Sequence, residues 1–444
     1  MTETTQDPST PPKGPARDLY DLVTGDENAR VCRDIPESAC RAQPLNFFIH
    51  LIALFGNKTG DLLASPKLVL PWLISAIGGP VWIIGLLVPL RESLALLPQL
   101  AVAGWIRRTP RRKGFWAFGA LAQGVSVLLM IAAAVLLPAL AAGIAILVLL
   151  AGFSLARGVC SAAYKDVLGK TITKNRRGTL SGIAASTAGA AAIGVAVGLW
   201  LWPGANARLV PIVSLLAVAG GLWLMAAAVF SRLTEVAGAT EGGGNALGTA
   251  WRSLSLVWHK PGLARFITVR GLLIASALAA PYYATLAHGS SSRMTALALL
   301  LGLSGVASLV FAPLWGRFSD RSSRHVMAVA GAGVALINIL IAICAWLHAS
   351  ALLGVWPYAI GFFLLSGLHD GVRLGRKTWL TDFGDADNRA QLTAVTNTLI
   401  GVILLAGGGF IAFVATAGAS VAIAVLAVPA LAAAILAPGL PAVE

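Results

Sequence analysis

The side chains of this chain best suited to chemistry are ionisable groups buried inside long apolar runs. FGNKTGD places Asn57, Lys58 and Asp61 within one helical turn, so all three can share a face. Arg91 and Glu92 follow in the next run, with Gln99 near the face of Glu92. Arg157 lies with Ser161 and Tyr164 on a neighbouring stripe, and Arg270 precedes Tyr282 and Tyr283. The densest set is His369, Asp370, Arg373, Arg376 and Lys377, which form two ladders at helical spacing. Lys67 falls roughly opposite Lys58 on a regular helix, and Pro66 beside it can redirect it.

A charge at the centre of a membrane helix costs roughly 2.5–3.5 kcal/mol on insertion scales. Such groups must pair with one another or face a watery cavity. Near the water interface the first solution is expected, so Lys165, Asp166, Arg376, Lys377 and Asp382 read as ion pairs or snorkelling side chains. For Asn57, Lys58, Asp61, Arg91, Glu92, Arg157, Arg270, His369, Asp370 and Arg373 we expect a central cavity that binds a solute and exchanges protons. Catalysis is not expected: His369-Asp370 lies deep in its run, with no nucleophile or metal partner at suitable spacing. Cys32, Cys40, Cys160 and Cys344 show no CxxC pairing, and neither a disulfide, a metal nor a cofactor is expected.

The elements that position these residues follow from composition. Hydrophobic residues make up 57% of the 444 and charged residues only 12%, which excludes an ordinary soluble domain. Twelve apolar runs are long enough to cross a bilayer: 46–76, 80–106, 115–137, 142–167, 179–203, 209–230, 263–286, 295–315, 325–347, 355–380, 391–416 and 420–440. Prolines 66, 71, 89 and 98 are expected to kink the first two. The expected fold is an all-α integral membrane protein of about twelve transmembrane helices in two six-helix bundles. Its parts would be a cytoplasmic tail (1–45), a first bundle (46–230), a cytoplasmic connector (231–262) and a second bundle (263–440). The tail has no apolar core of a signal peptide.

The net charge of +14 does not point to nucleic acid, because Lys and Arg concentrate in short loops on alternate sides of the runs. RRTPRRK (107–113), KTITKNRRG (170–178), RFSDRSSR (317–324) and the stretch 382–389 fall on one side, which the positive-inside rule makes cytoplasmic, together with both termini. The two halves echo each other weakly. Arg157-Gly-Val and Asp370-Gly-Val recur at the same offset as Asn175-Arg176 and Asn388-Arg389, as duplication would give.

Between the eighth and ninth runs stands Gly316-Arg-Phe-Ser-Asp320-Arg321-Ser-Ser-Arg324. This resembles the cytoplasmic loop motif of the major facilitator superfamily, G-x-x-x-D-R-x-x-R. Gly85, Gln99 and Gly104 in the second run are similar to that family as well. The first-half counterpart of the loop begins at Gly104 and carries Arg108 where the acid stands in the motif. The resemblance implies two bundles rocking about a midplane cavity, with Gly104, Gly316, Asp320, Arg321 and Arg324 gating its inner side. Physically, Gly316 would let helices approach closely and Asp320 would accept hydrogen bonds from a helix N-terminus.

The expected function is secondary active transport of a small organic solute by alternating access, coupled to protons or another ion. Cations outnumber acids among the deep groups, so an anionic or zwitterionic solute is expected, with Asp61, Glu92 or Asp370 carrying the coupling proton. The alternatives are a drug-type efflux carrier, or a non-transport membrane protein such as an assembly factor or enzyme. The orientation is testable with an impermeant thiol reagent applied from outside the cell. A cysteine introduced by Ser290→Cys should be labelled and one introduced by Asn245→Cys should be missed; the reverse pattern would invert the topology.

Overall fold

The computed structural model describes residues 35–97, 108–201, 209–238, 261–291, 293–384 and 389–443, with a few isolated positions besides. The tail 1–34, most of the connector 239–260, and Gln99 and Gly104 lie outside the described residues, apart from those isolated positions.

The described residues are almost wholly α-helical. In the first half these are α1 (Glu37–Leu63), α2 (Val69–Ala76), α3 (Val81–Leu96), α4 (Lys113–Leu136), α5 (Ala139–Thr171), α6 (Lys174–Trp200) and α7 (Val210–Ser231). The second half holds α8 (Pro261–Leu272), α9 (Ala275–Ser290), α10 (Met294–Ser319), α11 (Ser323–Trp346), α12 (Trp356–Phe383), α13 (Arg389–Val414) and α14 (Ala419–Leu436). Among the described residues nine helical segments are long and apolar enough to cross a membrane. The other three predicted runs are helical too, but each falls short for a local reason. In α1 polar and charged residues such as Gln43, Asn46, Asn57, Lys58 and Asp61 lower the hydropathy, the described part of the second has 16 residues, and α12 is made less apolar by the cluster from His369 to Lys377.

Of the prolines expected to kink the first two runs, Pro66 sits in a break and Pro71 and Pro89 lie inside continuing helices. At the break, Pro66 has no N–H to continue the ladder, the Lys67 N–H turns to Ser65 Oγ at 3.3 Å, and the helix resumes after Leu68. The seventh run is likewise interrupted, at Leu273–Ile274 between α8 and α9. The predicted 78–79 turn ends α2 by a Schellman arrangement, with Gly79 N–H on Ile74 O and Gly78 N–H on Ser75 O. Gly78 has a φ of +77°, which favours glycine.

Two further sequence expectations shift. The first helix starts at Glu37, inside the stretch assigned to the tail, and buries Gln43 and Asn46; Gln43 Nε2 donates to Tyr20 Oη at 2.7 Å. Cys40 is disulfide-bonded, which corrects the expectation of idle cysteines, whereas Cys160 and Cys344 are free. A search for CxxC spacing alone does not find it.

Packing separates into two bundles that meet along a narrow seam. In the first half α4 packs on α5 and α7, and α1 on α6 and α7; in the second, α12 packs on α10 and α11, and α11 on α14. Across the seam α3 meets α13 and α9, α6 meets α10, and α2 meets α9. Small residues bring these helices together, as expected where lipid gives no hydrophobic drive to helix association. Gly408 touches the Pro89 ring, and Gly85 leaves room for the Tyr282 hydroxyl and Ala412.

Gly371 shows how tightly α12 is fitted. A Cβ there would lie 2.6 Å from the Trp315 ring, which is held in place by its Nε1–H donating to Gly367 O at 2.7 Å. Gly371→Val should therefore destabilise the second bundle by about 1–3 kcal/mol. A fall in the unfolding midpoint of the purified protein in detergent checks this, with Gly316→Val, where nothing lies within 4 Å, as the neutral control.

Candidate functional site

The site is built first on α1. Its Gly56 and Gly60 press against α7, at Leu222 O and the Trp223 ring, which turns Asn57, Lys58 and Asp61 towards the interior. Asp61 is then clamped by two guanidinium groups, Arg91 Nη2 at 2.9 Å from α3 and Arg157 Nη1 at 2.5 Å from α5. Arg91 also lies over the Phe153 ring, 4.9 Å from its centroid. Asn57 Oδ1 accepts from Arg157 Nη1 at 3.2 Å and from Trp223 Nε1 at 3.0 Å, which fixes Arg157 in place. Three helices of the first half are thus tied together by one carboxylate.

The second part lies on α12 and at the break after α1. Lys67 Nζ stands 2.9 Å from His369 Nε2, and His369 Nδ1 stands 2.9 Å from Ser276 Oγ. An ammonium can only donate, so Nε2 is the acceptor and Nδ1 carries the hydrogen. Ser276 in turn donates to Leu273 O at 2.8 Å, in the interruption between α8 and α9. This chain crosses the seam, with Lys67 from the first half and His369 and Ser276 from the second. Asp370 Oδ2 accepts from Ser308 Oγ of α10 at 2.9 Å, and Arg373 approaches the same carboxylate only to 3.7 Å.

Between these parts lies a cavity of about 880 Å³, lined by Lys58, Asp61, Lys67, Arg157, His369, Asp370 and Arg373. Small and apolar residues of α6 and α10 complete it. Six of the ten predicted deep residues therefore line one space. Asn57 and Arg91 stand behind it as supports. Glu92 is half-buried, with Arg91, Lys67, Arg376 and Arg157 as its charged surroundings. Arg270 does not join the group: it is buried and donates to Asn397 Oδ1 of α13 at 3.0 Å. Lys67, which a regular helix would put opposite Lys58, lines the same cavity because the helix breaks at Pro66, the alternative the sequence left open. Ser276 and Ser308 carried no signal, because lone serines in apolar helices are common.

The cavity is closed at one end and reached from the other. At the closed end Trp72 is fully buried and meets His288 edge-on at 4.9 Å, and Tyr282 fills the gap at Gly85. At the other end the Arg373 side chain is 62% exposed, and this is the end carrying the basic loops.

The loop residues divide unevenly. Gly316 does not serve close helix approach, since a Cβ on it would meet open space, which corrects that expectation. Asp320 ends α10, is exposed, and makes no side-chain hydrogen bond among the described residues; Arg321 is exposed as well. Arg324 holds the chain terminus of the second half through Leu440 O at 3.1 Å.

In the first half, where Arg108 replaces the motif acid, Glu235 supplies a carboxylate from beyond α7. Its side chain is fully buried; it accepts the backbone N–H of Arg112 at 2.8 Å and of Lys113 at 2.7 Å, at the start of α4, and Lys170 lies 3.2 Å away. Asp166 pairs with Lys170 at 2.6 Å and with Arg112, as expected of an interfacial ion pair. Among the described residues no cluster of His, Cys, Asp or Glu is arranged to hold a metal ion.

No family model and no curated relative matches the sequence. Solved structures do resemble this one. The nucleoside transporter NupG is 12% identical, with 89% of this chain and 98% of that one covered and a TM-score of 0.65. The inward open xylose transporter XylE from E. coli is 12% identical, with 89% and 97% covered and a TM-score of 0.65. A POT family transporter in complex with a thioalcohol-conjugated peptide is 12% identical, with 91% and 98% covered and a TM-score of 0.66. The chain is thus a multi-pass, all-α membrane protein with the fold of major facilitator superfamily transporters.

The Asp61 clamp predicts its own mutational signature. Asp61→Asn leaves Arg91 and Arg157 facing each other without the carboxylate they share. Removing one partner of a buried pair costs roughly 3–5 kcal/mol, and less is expected here because the Asp61 side chain is 24% exposed. Denaturant unfolding in detergent should show a loss of about 2–3 kcal/mol, part of which returns when Arg157→Gln is added.

Proposed function

We propose that this protein is a secondary active transporter of a small organic solute, working by alternating access with an anionic or zwitterionic substrate and a coupling proton. The observation that carries this reading is the cavity on the seam between the two bundles, where the cations Lys58, Lys67, Arg157 and Arg373 share the lining with two acids, Asp61 and Asp370, and Glu92 lies nearby among Arg91, Lys67, Arg376 and Arg157. Excess positive charge in a low-dielectric space is unfavourable until an anion enters. The transporters of nucleosides, xylose and peptides that share the fold support the general class.

The geometry suits alternating access. At the Trp72 end α2 meets α9 across the seam, and the Lys67–His369 hydrogen bond is a polar tie between the bundles beside the cavity. Rocking that separates α2 from α9 would expose the cavity at that end, while closure past Arg373 would seal the other. Of the three acids considered for the proton, Asp61 is engaged by two guanidinium groups. Asp370 has one serine donor and a distant Arg373, which makes it the less engaged of the two acids on the cavity wall and our choice for the coupling residue.

Uptake into sealed proteoliposomes tests this reading. Anionic and cationic solute panels at several pH values should show uptake of anions that falls at least about tenfold in Arg157→Gln and Arg373→Gln, a loss near 1.4 kcal/mol per site. Uptake of cations, unchanged in both variants, would overturn the anion reading.

A further inference from the structure

The first run of each half is interrupted, at 64–68 between α1 and α2 and at Leu273–Ile274 between α8 and α9. The pieces beyond these two joints, α2 and α9, meet across the seam and close off the Trp72 end of the cavity. The joints are also tied to each other. Lys67 of the first joint donates to His369 Nε2 at 2.9 Å, while Ser276, just past the second joint, stands 2.9 Å from His369 Nδ1 and donates to Leu273 O at 2.8 Å. His369 of α12 thus connects the two joints.

The charged groups around Lys67 are divided between the bundles. Glu92 on α3 belongs to its own half, whereas Asp370, Arg373 and Arg376 on α12 belong to the other, as His369 does. Neither carboxylate is ion-paired with Lys67 among the described residues, and its ammonium bonds to the imidazole instead. Glu92 makes no hydrogen bond or ion pair among the described residues either. Of the cations around it, Arg91 and Arg157 are held by Asp61, and Arg376 lies across the seam, so Lys67 is the neighbour in its own bundle that can turn to it. When the bundles part at the Trp72 end, His369 and Asp370 leave with α12, and Glu92 stays with Lys67. An ammonium that loses its acceptor inside a low-dielectric bundle needs another.

We propose that Lys67 is the switch of the closed end: it bonds to His369 across the seam while that end is shut, and to Glu92 of its own bundle while that end is open. His369 is then a positioning residue for the gate, and Ser276 holds its imidazole in the tautomer that accepts from Lys67. This rests on alternating access as the mode of transport. With one partner in each bundle, Lys67 is satisfied in both states, which keeps them close enough in free energy to interconvert.

The test reads the closed end directly, by double electron–electron resonance on the full chain in nanodiscs. Spin labels are attached through Leu140→Cys at the start of α5 and Leu352→Cys just before α12, exposed positions of the two halves at that end, in a Cys344→Ser background. His369→Ala should raise the ratio of separated to closed distances about tenfold, as loss of a charged hydrogen bond would. His369→Gln, whose amide oxygen can accept in place of Nε2, should stay near the parent, and Ser276→Ala should shift the ratio the same way as His369→Ala but less. Adding Glu92→Gln to His369→Ala should bring the ratio back down at least about threefold, because the separated state then loses the other partner of Lys67. Distances unmoved in both His369→Ala and Ser276→Ala would overturn the proposal. So would a His369→Gln protein as separated as His369→Ala, or a ratio that Glu92→Gln leaves alone or raises. Uptake assays on the parent separate the two levels. Uptake of a solute with these distances unmoved removes the switch and leaves the transporter standing, whereas one fixed distance in every variant and no uptake of any solute removes both.

Discussion

Charge placed in a low-dielectric bundle has to be met by another charge, by a hydrogen-bond donor or acceptor of the right polarity, or by water, and much of the interior of this protein follows from how that demand is met at Asp61. The carboxylate receives Arg91 from α3 and Arg157 from α5, and Arg157 is steadied by Asn57, itself fixed by Trp223 of α7. Four helices of the first bundle are therefore registered against one another by a short polar chain. The glycines at 56 and 60 make this possible, because only their lack of side chains lets α1 lie close enough to α7. Once the clamp has formed, Lys58 stands on the cavity lining beside it with no ion pair from its side chain among the described residues.

Across the seam the same demand is met differently. A directional relay runs from Lys67 of the first half through His369 and Ser276 to the carbonyl of Leu273. Each link has a fixed donor and acceptor, so the imidazole is held in one tautomer, and the interruption between α8 and α9 supplies the free carbonyl at its end. At the end with the basic loops, buried Glu235 gathers the start of α4 and Lys170, and it does for the first half what the loop motif leads one to expect of an aspartate.

Much of this could be read from the residues. The apolar runs gave most of the helices within a few residues, the early start of α1 and the breaks in the first and seventh runs apart, and the charged FGNKTGD and HDGVRLGRK stretches sit at the cavity where their cost demanded it. Arg270 looked equivalent on cost but is matched by Asn397, an uncharged partner far along the chain that no local spacing discloses. Pro66 left the direction of Lys67 open in the sequence, and only the break at 64–68 decides it. Glu235 was invisible because its role depends on a chain reversal after α7, and Gly316 fits a motif whose packing purpose is not met in this conformation. Local periodicity finds costly groups well; it does not say which distant group meets the cost.

The break between α1 and α2 has a mechanical consequence. The Trp72–His288 closure belongs to α2, and the Asp61 clamp belongs to α1, so the two are carried on separate rigid pieces joined by the 64–68 turn. A continuous helix would transmit any tilt of its outer end straight to the clamp. With the joint, α2 can swing away from α9 while α1 stays seated on Trp223, and the ion pairs that hold the first bundle together need not be broken on each cycle.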